Sequence, residues 1–219
     1  MGVAAVIPAY NEEKTVADVV RVVVASPLVN RVLVVSDGSV DNTATMARAA
    51  GAEVIELPEN RGKGAALKVG IDSSTEEILL FLDADLIGLT ETHVSALLEP
   101  VLNGSAQMSI GIFTQGRIAT DLAQAVAPYL SGQRAVRRTL LENISDLEMT
   151  RFGVEVALTQ YSRKFGVRSA EVVLPDLTHH MKEEKLGVWK GLTARFKMYW
   201  EIAAYLTEEL VNPPRQGRG

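Results

Sequence analysis

The sequence lacks cysteine altogether and contains only three histidines. Without cysteine, neither a disulfide nor a thiolate metal site can form, so a bound metal ion would need oxygen ligands or one of those histidines. The net charge is −5, and the charged residues are spread along the chain. A general nucleic-acid-binding protein needs a basic face, so we expect no nucleic-acid partner.

Long apolar segments are also missing. No stretch approaches the roughly 18 uninterrupted apolar residues of a transmembrane helix. The apolar N-terminus lacks a basic leader and meets Pro8 and Glu12 too early for a signal peptide. We therefore expect a cytoplasmic protein. Its 219 residues, 47% of them hydrophobic, predict one domain over residues 1–211 and a flexible tail over 212–219.

Strand and helix patterns alternate through the first half of the chain. The strand patterns cover residues 3–7, 31–35, 52–57 and 78–82, and the helix patterns cover 12–25, 41–50, 63–72 and 90–102. This alternation predicts an α/β fold with a mostly parallel, Rossmann-like sheet flanked by helices. Ligands of such sheets bind at the carboxyl ends of the strands, where this chain has polar segments at 8–10, 37–39 and 83–85.

The second half of the chain is less regular. We predict strands over 107–113 and 168–174, and helices over 118–130, 137–143, 153–165 and 186–210. The last of these helices is amphipathic and carries both tryptophans of the protein, Trp189 and Trp200. Packing on the domain or on a second subunit is the favoured interpretation, and contact with an anionic lipid surface is the alternative.

Two aspartates follow the apolar strand pattern at 78–82. Because alternate residues of an extended segment point to the same side, Asp83 and Asp85 can share one hard cation. Mg²⁺ and Mn²⁺ prefer oxygen ligands and usually share them with substrate phosphates. Exposed turn carboxylates are the simpler explanation for an isolated pair, whereas the apolar strand before this pair favours a metal site.

A glycine-rich segment, NRGKGAAL at 60–67, leads into the third predicted helix. Gly62 and Gly64 allow close approach of a ligand, the helix N-terminus attracts an anion, and Lys63 adds a full charge. The segment is not a P-loop, because no serine or threonine follows the lysine. A flexible helix start with solvated charges is the simpler alternative.

Four segments together resemble the GT-A glycosyltransferases of family 2. They are IPAYNEE at 7–13, VVSDGSVDNT at 34–43, NRGKGAAL at 60–67 and LFLDAD at 80–85, in the order of the family. The resemblance implies a GT-A fold and a nucleoside-diphosphate sugar as the donor. The substrate-binding residues that it implies in this half are Pro8, Ala9, Tyr10, Glu12, Asp37, Gly62, Lys63, Asp83 and Ala84.

The resemblance also implies individual roles. Asp37 would contact the base, Lys63 the base or the phosphates, and the catalytic Asp85 the metal, Mg²⁺ or Mn²⁺. Asp83 would contact the ribose or the metal. The family often has two acids before Gly-Ser, and Ser36 stands in place of the first, which leaves the choice of base open.

The second half resembles the enzymes that make glucosyl-3-phosphoglycerate, at 85–87, 116–117, 131–135 and 152–158. The loop residues that would meet donor or acceptor by this resemblance are Ser131, Gly132, Gln133 and Arg134. Glu155 would be a catalytic residue at the reaction centre, and Arg117 would hold an acceptor phosphate. The simpler interpretations are surface charge for Arg117 and Arg134, and a helix N-terminal carboxylate for Glu155.

Many GT-A enzymes place a late histidine on the metal, opposite the aspartate pair. The candidates here are His179 and His180, and the resemblance favours His179. Two polar surface residues are the simpler interpretation of this pair.

These features lead to the hypothesis of a metal-dependent glycosyltransferase, with residues 1–105 binding the nucleotide sugar and residues 106–211 the acceptor. The acceptor would be a small phosphorylated molecule, or a polyprenyl phosphate met at the membrane surface. Membership of family 2 would imply inversion, with Glu155 as the base, whereas the likeness to glucosyl-3-phosphoglycerate synthases would imply retention. The short chain also predicts a homodimer.

Two other functions stay open at this point. One is a non-catalytic module that binds a nucleotide sugar, against which the intact aspartate pair argues. The other is a sugar-1-phosphate nucleotidyltransferase, which also uses an α/β sheet, acids and a metal. That class needs a glycine-rich, arginine-bearing loop after the first strand, and this chain has PAYNE at 8–12 instead.

Overall fold

A seven-stranded sheet lies at the centre of the computed structural model, which describes residues 1–113, 131–144 and 154–179. The strands of these residues are β1 Val3–Ala9, β2 Arg31–Asp37, β3 Glu53–Leu57, β4 Ile78–Phe81, β5 Leu86–Ile87, β6 Met108–Phe113, β7 Arg134–Arg137, β8 Ser169–Leu174 and β9 Thr178–His179. Their helices are α1 Val16–Ala25, α2 Thr43–Ala49, α3 Lys63–Asp72, α4 Glu91–Leu102, α5 Arg138–Glu142 and α6 Val154–Phe165.

The order of strands across the large sheet is β3-β2-β1-β4-β7-β6-β8, and β5 pairs with β9 in a small separate sheet. The strands from β3 to β4 run parallel, as their alternation with helices predicted. β7 runs antiparallel to both β4 and β6, and β8 is parallel to β6. The predicted α/β class, with a mostly parallel sheet flanked by helices, is confirmed.

Strand β1 is buried along its whole length because helices cover both faces of the sheet. Ile7 belongs to the apolar cluster that includes residues of α1 and α4, whereas Val6 belongs to the cluster with α3 and α6. Gly70 lets α3 approach closely, since a Cβ atom there would lie 2.2 Å from Cγ1 of Val6. The close fit fixes α3, whose first residue is Lys63, against the middle of β1.

Strand β7 differs from the sequence prediction, which had a loop at 131–134 and a helix from residue 137. Its sequence, RAVR, has an arginine at each end, so it does not show the apolar alternation of a strand. In the structure Arg134 is buried, which the residue type alone does not suggest. Helix α1 begins at Val16 rather than at residue 12, because the preceding residues bond to the loop after β2.

Several predictions fall outside the described residues. They include the helices at 118–130 and 186–210, the amphipathic C-terminal helix among them, and the tail at 212–219. The single domain over 1–211 therefore stays a prediction. Within the ranges that the structure describes, every helix is too short or too polar to cross a membrane.

Candidate functional site

The polar segments that follow parallel strands meet at one edge of the large sheet. β1 lies between β2 and β4, so the loops that follow these three strands are neighbours. The residues that this arrangement brings to the edge are Tyr10, Glu12, Asp37, Lys63, Asp83 and Asp85. Pro8, Ala9 and Ala84 are buried in the same segments, and they contribute backbone rather than exposed side chains.

A histidine distant in sequence completes this group. β5 follows the aspartate pair directly, and its antiparallel pairing with β9 places Leu86 opposite His179. The Nε2 atom of His179 lies 3.3 Å from Oδ2 of Asp83. Its ring packs edge-on against Phe113, with 4.9 Å between ring centroids. The short β5–β9 pair is therefore what brings a late histidine to the acids.

Asp83, Asp85 and His179 each offer one ligand atom, and these atoms lie within 4.8 Å of one another. Two carboxylates and one imidazole are a donor set that fits a divalent cation. All three residues are half-buried rather than closed off, which leaves positions for oxygens of a substrate. His180, the other predicted ligand, lies outside the described residues, as does Arg117.

Lys63 is shared by two carboxylates. Its Nζ atom lies 2.5 Å from Oδ1 of Asp83 and 2.7 Å from Oε1 of Glu155, which stands in the first turn of α6. Burial alone would lower the pKa of Lys63, but the charges of Asp83 and Glu155 outweigh it and raise the pKa above its usual range. The lysine is charged at neutral pH, at the N-terminus of α3.

The opposite pKa shift occurs at Asp83. Burial would raise the pKa of this carboxyl, but the charge of Lys63 and the hydrogen bond with His179 hold it well below its usual range. The same hydrogen bond raises the pKa of His179. Asp83 is thus a carboxylate at every physiological pH, and protonation of His179 competes with its use as a metal ligand.

The loop before β7 forms the wall behind Asp83. A Cβ atom on Gly132 would lie 2.6 Å from Oδ2 of Asp83 and 2.7 Å from Nζ of Lys63, so a side chain there would displace the ends of both residues. Gln133 is fully buried, and its Nε2 atom donates to Oδ2 of Asp83 at 2.8 Å. The hydroxyl of Ser131 donates to the carbonyl of Gly111 at 2.6 Å, which anchors the loop to β6.

Arg134 points away from this wall. Successive residues of an extended chain face opposite sides, so its side chain lies on the side of α6. It is 0% exposed, and its guanidinium donates to Ser131 and Thr159. This placement differs from the predicted contact of Arg134 with a substrate. Thr159 was not predicted as a site residue, although it lies one helical turn after Glu155, on the same face of the helix.

Hydrogen bonds join the loops that follow β1 and β2. Asn11 has a φ of 54°, and its side-chain oxygen accepts from the backbone of Val40 at 3.0 Å. The backbone N–H of Asn11 donates to the hydroxyl of Ser39 at 3.1 Å, and that of Glu12 to the hydroxyl of Thr43 at 2.8 Å. The two loops form one surface, next to the exposed ring of Tyr10.

Asp37 lies beneath that surface. It is buried, and its two carboxylate oxygens accept the backbone N–H groups of Arg61 and Gly62, both at 2.8 Å. Gly62 has a φ of 91°, which favours glycine, and the space beside its Cα is open. Asp37 therefore fixes the loop that leads to Lys63, and its contact with a nucleotide base stays a prediction.

A match to a known family model shows the family of this chain. The sequence profile described as "Glycosyl transferase family 2" matches residues 4–158. This chain belongs to glycosyl transferase family 2. The match includes every motif on which the resemblance was based in the first half, and it extends through Glu155.

Two curated glucosyl-3-phosphoglycerate synthases are similar to this chain in sequence. A glucosyl-3-phosphoglycerate synthase from Mycolicibacterium smegmatis is 38% identical over 109 residues, which cover 46% of this chain and 36% of the relative. One from Mycobacterium tuberculosis is 28% identical over 193 residues, covering 71% of this chain and 59% of the relative. The chain thus spans less than two thirds of these curated relatives.

A crystal structure of the Mycobacterium tuberculosis synthase, in complex with Mn²⁺, uridine diphosphate and glucosyl-3-phosphoglycerate, is also similar. It has a TM-score of 0.74 and 27% identity, and the match covers 98% of this chain and 81% of that chain. The predicted GT-A fold is confirmed by this similarity, and so is the resemblance of the second half to this group of enzymes.

The ion pairs of Asp83 predict a distinctive pH dependence of stability without metal. Asp83→Asn should lower the melting temperature at pH 7 by about 2–4 °C for each kcal/mol of lost pairing. The low pKa of Asp83 stabilises the fold above the unfolded value of about 4, and the raised pKa of His179 adds stability below about 6.5. The difference from wild type should therefore be largest near pH 5–6 and shrink below about pH 4.

Thermal unfolding in a chelator across this pH range measures that difference. Asp72→Asn is the control, because Asp72 forms an exposed ion pair with Lys68 at 2.5 Å, and such a surface pair contributes little stability. Its melting temperature should stay close to that of wild type. A difference between wild type and Asp83→Asn that grew steadily toward acid pH would contradict the low pKa assigned to Asp83.

Proposed function

We propose that this protein transfers a sugar from a nucleoside-diphosphate sugar to a small phosphorylated acid, with a divalent metal ion at the sheet edge. The observation that carries the proposal is the group of Asp83, Asp85 and His179, whose ligand atoms lie within 4.8 Å beside the charged Lys63. Such a site suits a diphosphate, which needs a metal and a cation nearby.

The relatives support the choice of substrates. The similar crystal structure contains Mn²⁺, uridine diphosphate and glucosyl-3-phosphoglycerate, and its match covers 98% of this chain. We therefore propose Mn²⁺ or Mg²⁺ as the cofactor, a uridine-diphosphate sugar as the donor and a phosphoglycerate-like acid as the acceptor. Asp85 and His179 would hold the metal together with Asp83.

Cleavage of the donor leaves negative charge on the departing diphosphate. When bound, the metal ion neutralises part of that charge. Lys63 supplies a second positive charge from the N-terminus of α3, where backbone N–H groups also favour an anion. Because Asp83 and Glu155 already fix the ammonium group, little reorganisation accompanies the reaction.

Glu155 bears on the stereochemical course. An inverting reaction needs a free carboxylate as the base for the acceptor hydroxyl. The side chain of Glu155 is 13% exposed and its Oε1 atom lies 2.7 Å from Lys63, so this carboxylate is engaged by a cation. The ion pair favours retention of the anomeric configuration, with Glu155 acting through its charge at the reaction centre.

Other parts of the proposal concern the whole chain. We propose that residues 1–105 bind the donor and that residues 106–211 bind the acceptor, with Arg117 on the acceptor phosphate. A homodimer, a cytoplasmic location and a peripheral contact of the C-terminal helix with membranes remain predictions from the sequence.

Binding of the donor is the first prediction of this function. Titration calorimetry with UDP-glucose should show binding that depends on Mn²⁺ in wild type. Asp85→Ala should weaken metal-dependent binding by at least about 10-fold, because one of the three ligands is lost. The control Asp72→Asn should bind like wild type. Donor binding that is equally tight with a chelator, or unaffected by Asp85→Ala, would contradict the site.

Transfer to the acceptor is the second prediction. Incubation with UDP-glucose, Mn²⁺ and either 3-phosphoglycerate or a polyprenyl phosphate should give a glycosylated product with 3-phosphoglycerate only, as detected by mass spectrometry. NMR of the anomeric carbon should show the configuration of the donor. Transfer to the polyprenyl phosphate alone would overturn the acceptor assignment, and donor binding without any transfer would favour a non-catalytic binding module.

A further inference from the structure

A buried arginine, Arg134, lies between the loop before β7 and helix α6, beside the proposed reaction centre. Arg134 is 0% exposed and has the largest side chain among the fully buried residues that the structure describes. Burial of a guanidinium is unfavourable unless its donors are bonded and an opposite charge is near. The strand does not need a charge on this side, since Val136, two residues later, packs in the same apolar cluster as Met108.

The hydrogen bonds of Arg134 reach in two directions. Its Nε atom donates to the carbonyl of Ser131 at 2.9 Å, and its Nη1 atom donates to the hydroxyl of Thr159 at 2.9 Å. Thr159 in turn donates to the carbonyl of Glu155 at 2.9 Å. A continuous set of hydrogen bonds thus runs from the loop before β7, through the guanidinium, to the first turn of α6.

Each end of this set of hydrogen bonds lies next to residues that contact Asp83 or Lys63. At one end, Gly132 and Gln133 press against Asp83. At the other end, Glu155 binds the ammonium group of Lys63. These residues belong to two separate segments of the chain, and Arg134 bonds Ser131 in one and Thr159 in the other.

We propose that Arg134 is a positioning residue, which holds the 131–133 loop and the first turn of α6 together and so fixes Asp83 and Glu155 on either side of Lys63. The effect of Arg134 on the reaction rate rests on the proposed transfer reaction. Its effect on the mobility of the two segments can be measured whether or not the protein transfers a sugar.

Electrostatics is consistent with this role. Burial lowers the pKa of Arg134 to about 10, and the negative charge of Glu155 limits that fall, so the guanidinium remains charged at neutral pH. Arginine suits the position because its planar fork presents several donors in fixed directions. A lysine would keep the charge but, as a single point donor, could not bond both ends in the same way.

The test measures amide hydrogen exchange in the substrate-free protein, followed by initial-rate kinetics. The variants are Arg134→Met, Arg134→Lys and Thr159→Val, the last of which removes the acceptor on α6 without a large change of volume. Arg138→Met is the matched control, because Arg138 also bonds a backbone carbonyl, that of Glu76, but at a distance from the site.

We expect faster exchange at 131–133 and 154–158 in Arg134→Met, and a smaller change of the same kind in Thr159→Val. The kcat of Arg134→Met should fall about 10- to 100-fold, because displaced catalytic groups cost rate. The donor KM should stay within about threefold, and Arg134→Lys should lie between Arg134→Met and wild type. Arg138→Met should lose thermal stability but keep both wild-type exchange in these segments and wild-type kcat.

Other results would overturn the proposal. Unchanged exchange in both segments would do so, as would a loss of kcat in Arg138→Met equal to that in Arg134→Met at similar stability. If Arg134→Met does not fold, Arg134→Lys and Thr159→Val decide by the same measures. If wild type transfers no sugar, the proposed function fails, and the exchange data alone then decide the role of Arg134.

Discussion

The ammonium group of Lys63 is shared by two carboxylates that come from opposite halves of the chain, and the rest of the site depends on this interaction. Asp83 follows β4 in the first half, whereas Glu155 stands on α6 in the second. Three charged groups can be brought together in a half-buried place because their charges are compensated. The raised pKa of Lys63 and the lowered pKa of Asp83 both result from that compensation.

The topology of the sheet makes this meeting possible. β7 is inserted antiparallel between β4 and β6, so the loop that precedes it arrives at the same edge as the end of β4. Gly132 can then lie against Asp83, and Gln133 can bond it. The small β5–β9 pair likewise brings His179 next to Asp83. The parallel half of the sheet thus supplies Asp83, Asp85 and Lys63, and the second half supplies Glu155, His179 and Gln133, which contact them.

The first half of this arrangement was predictable from the sequence, because buried parallel strands and amphipathic helices have strong, different periodicities. Asp83, Asp85 and Lys63 stood out since each follows or begins such an element. The second half was harder. β7 contains only four residues with an arginine at each end, so neither its strand character nor the burial of Arg134 was visible in the local pattern. Contacts such as Gln133 with Asp83 join residues 50 positions apart, and they depend on topology rather than on spacing.

In the function proposed here, the sheet edge holds a divalent metal ion together with the diphosphate of a donor. The most direct measurement is the anomalous scattering of Mn²⁺ in crystals grown with uridine diphosphate. We expect one strong peak in contact with Asp85 and His179, with diphosphate oxygens on its open side and Lys63 near them. A peak elsewhere, or diphosphate bound at this edge without any metal ion, would contradict the proposed function.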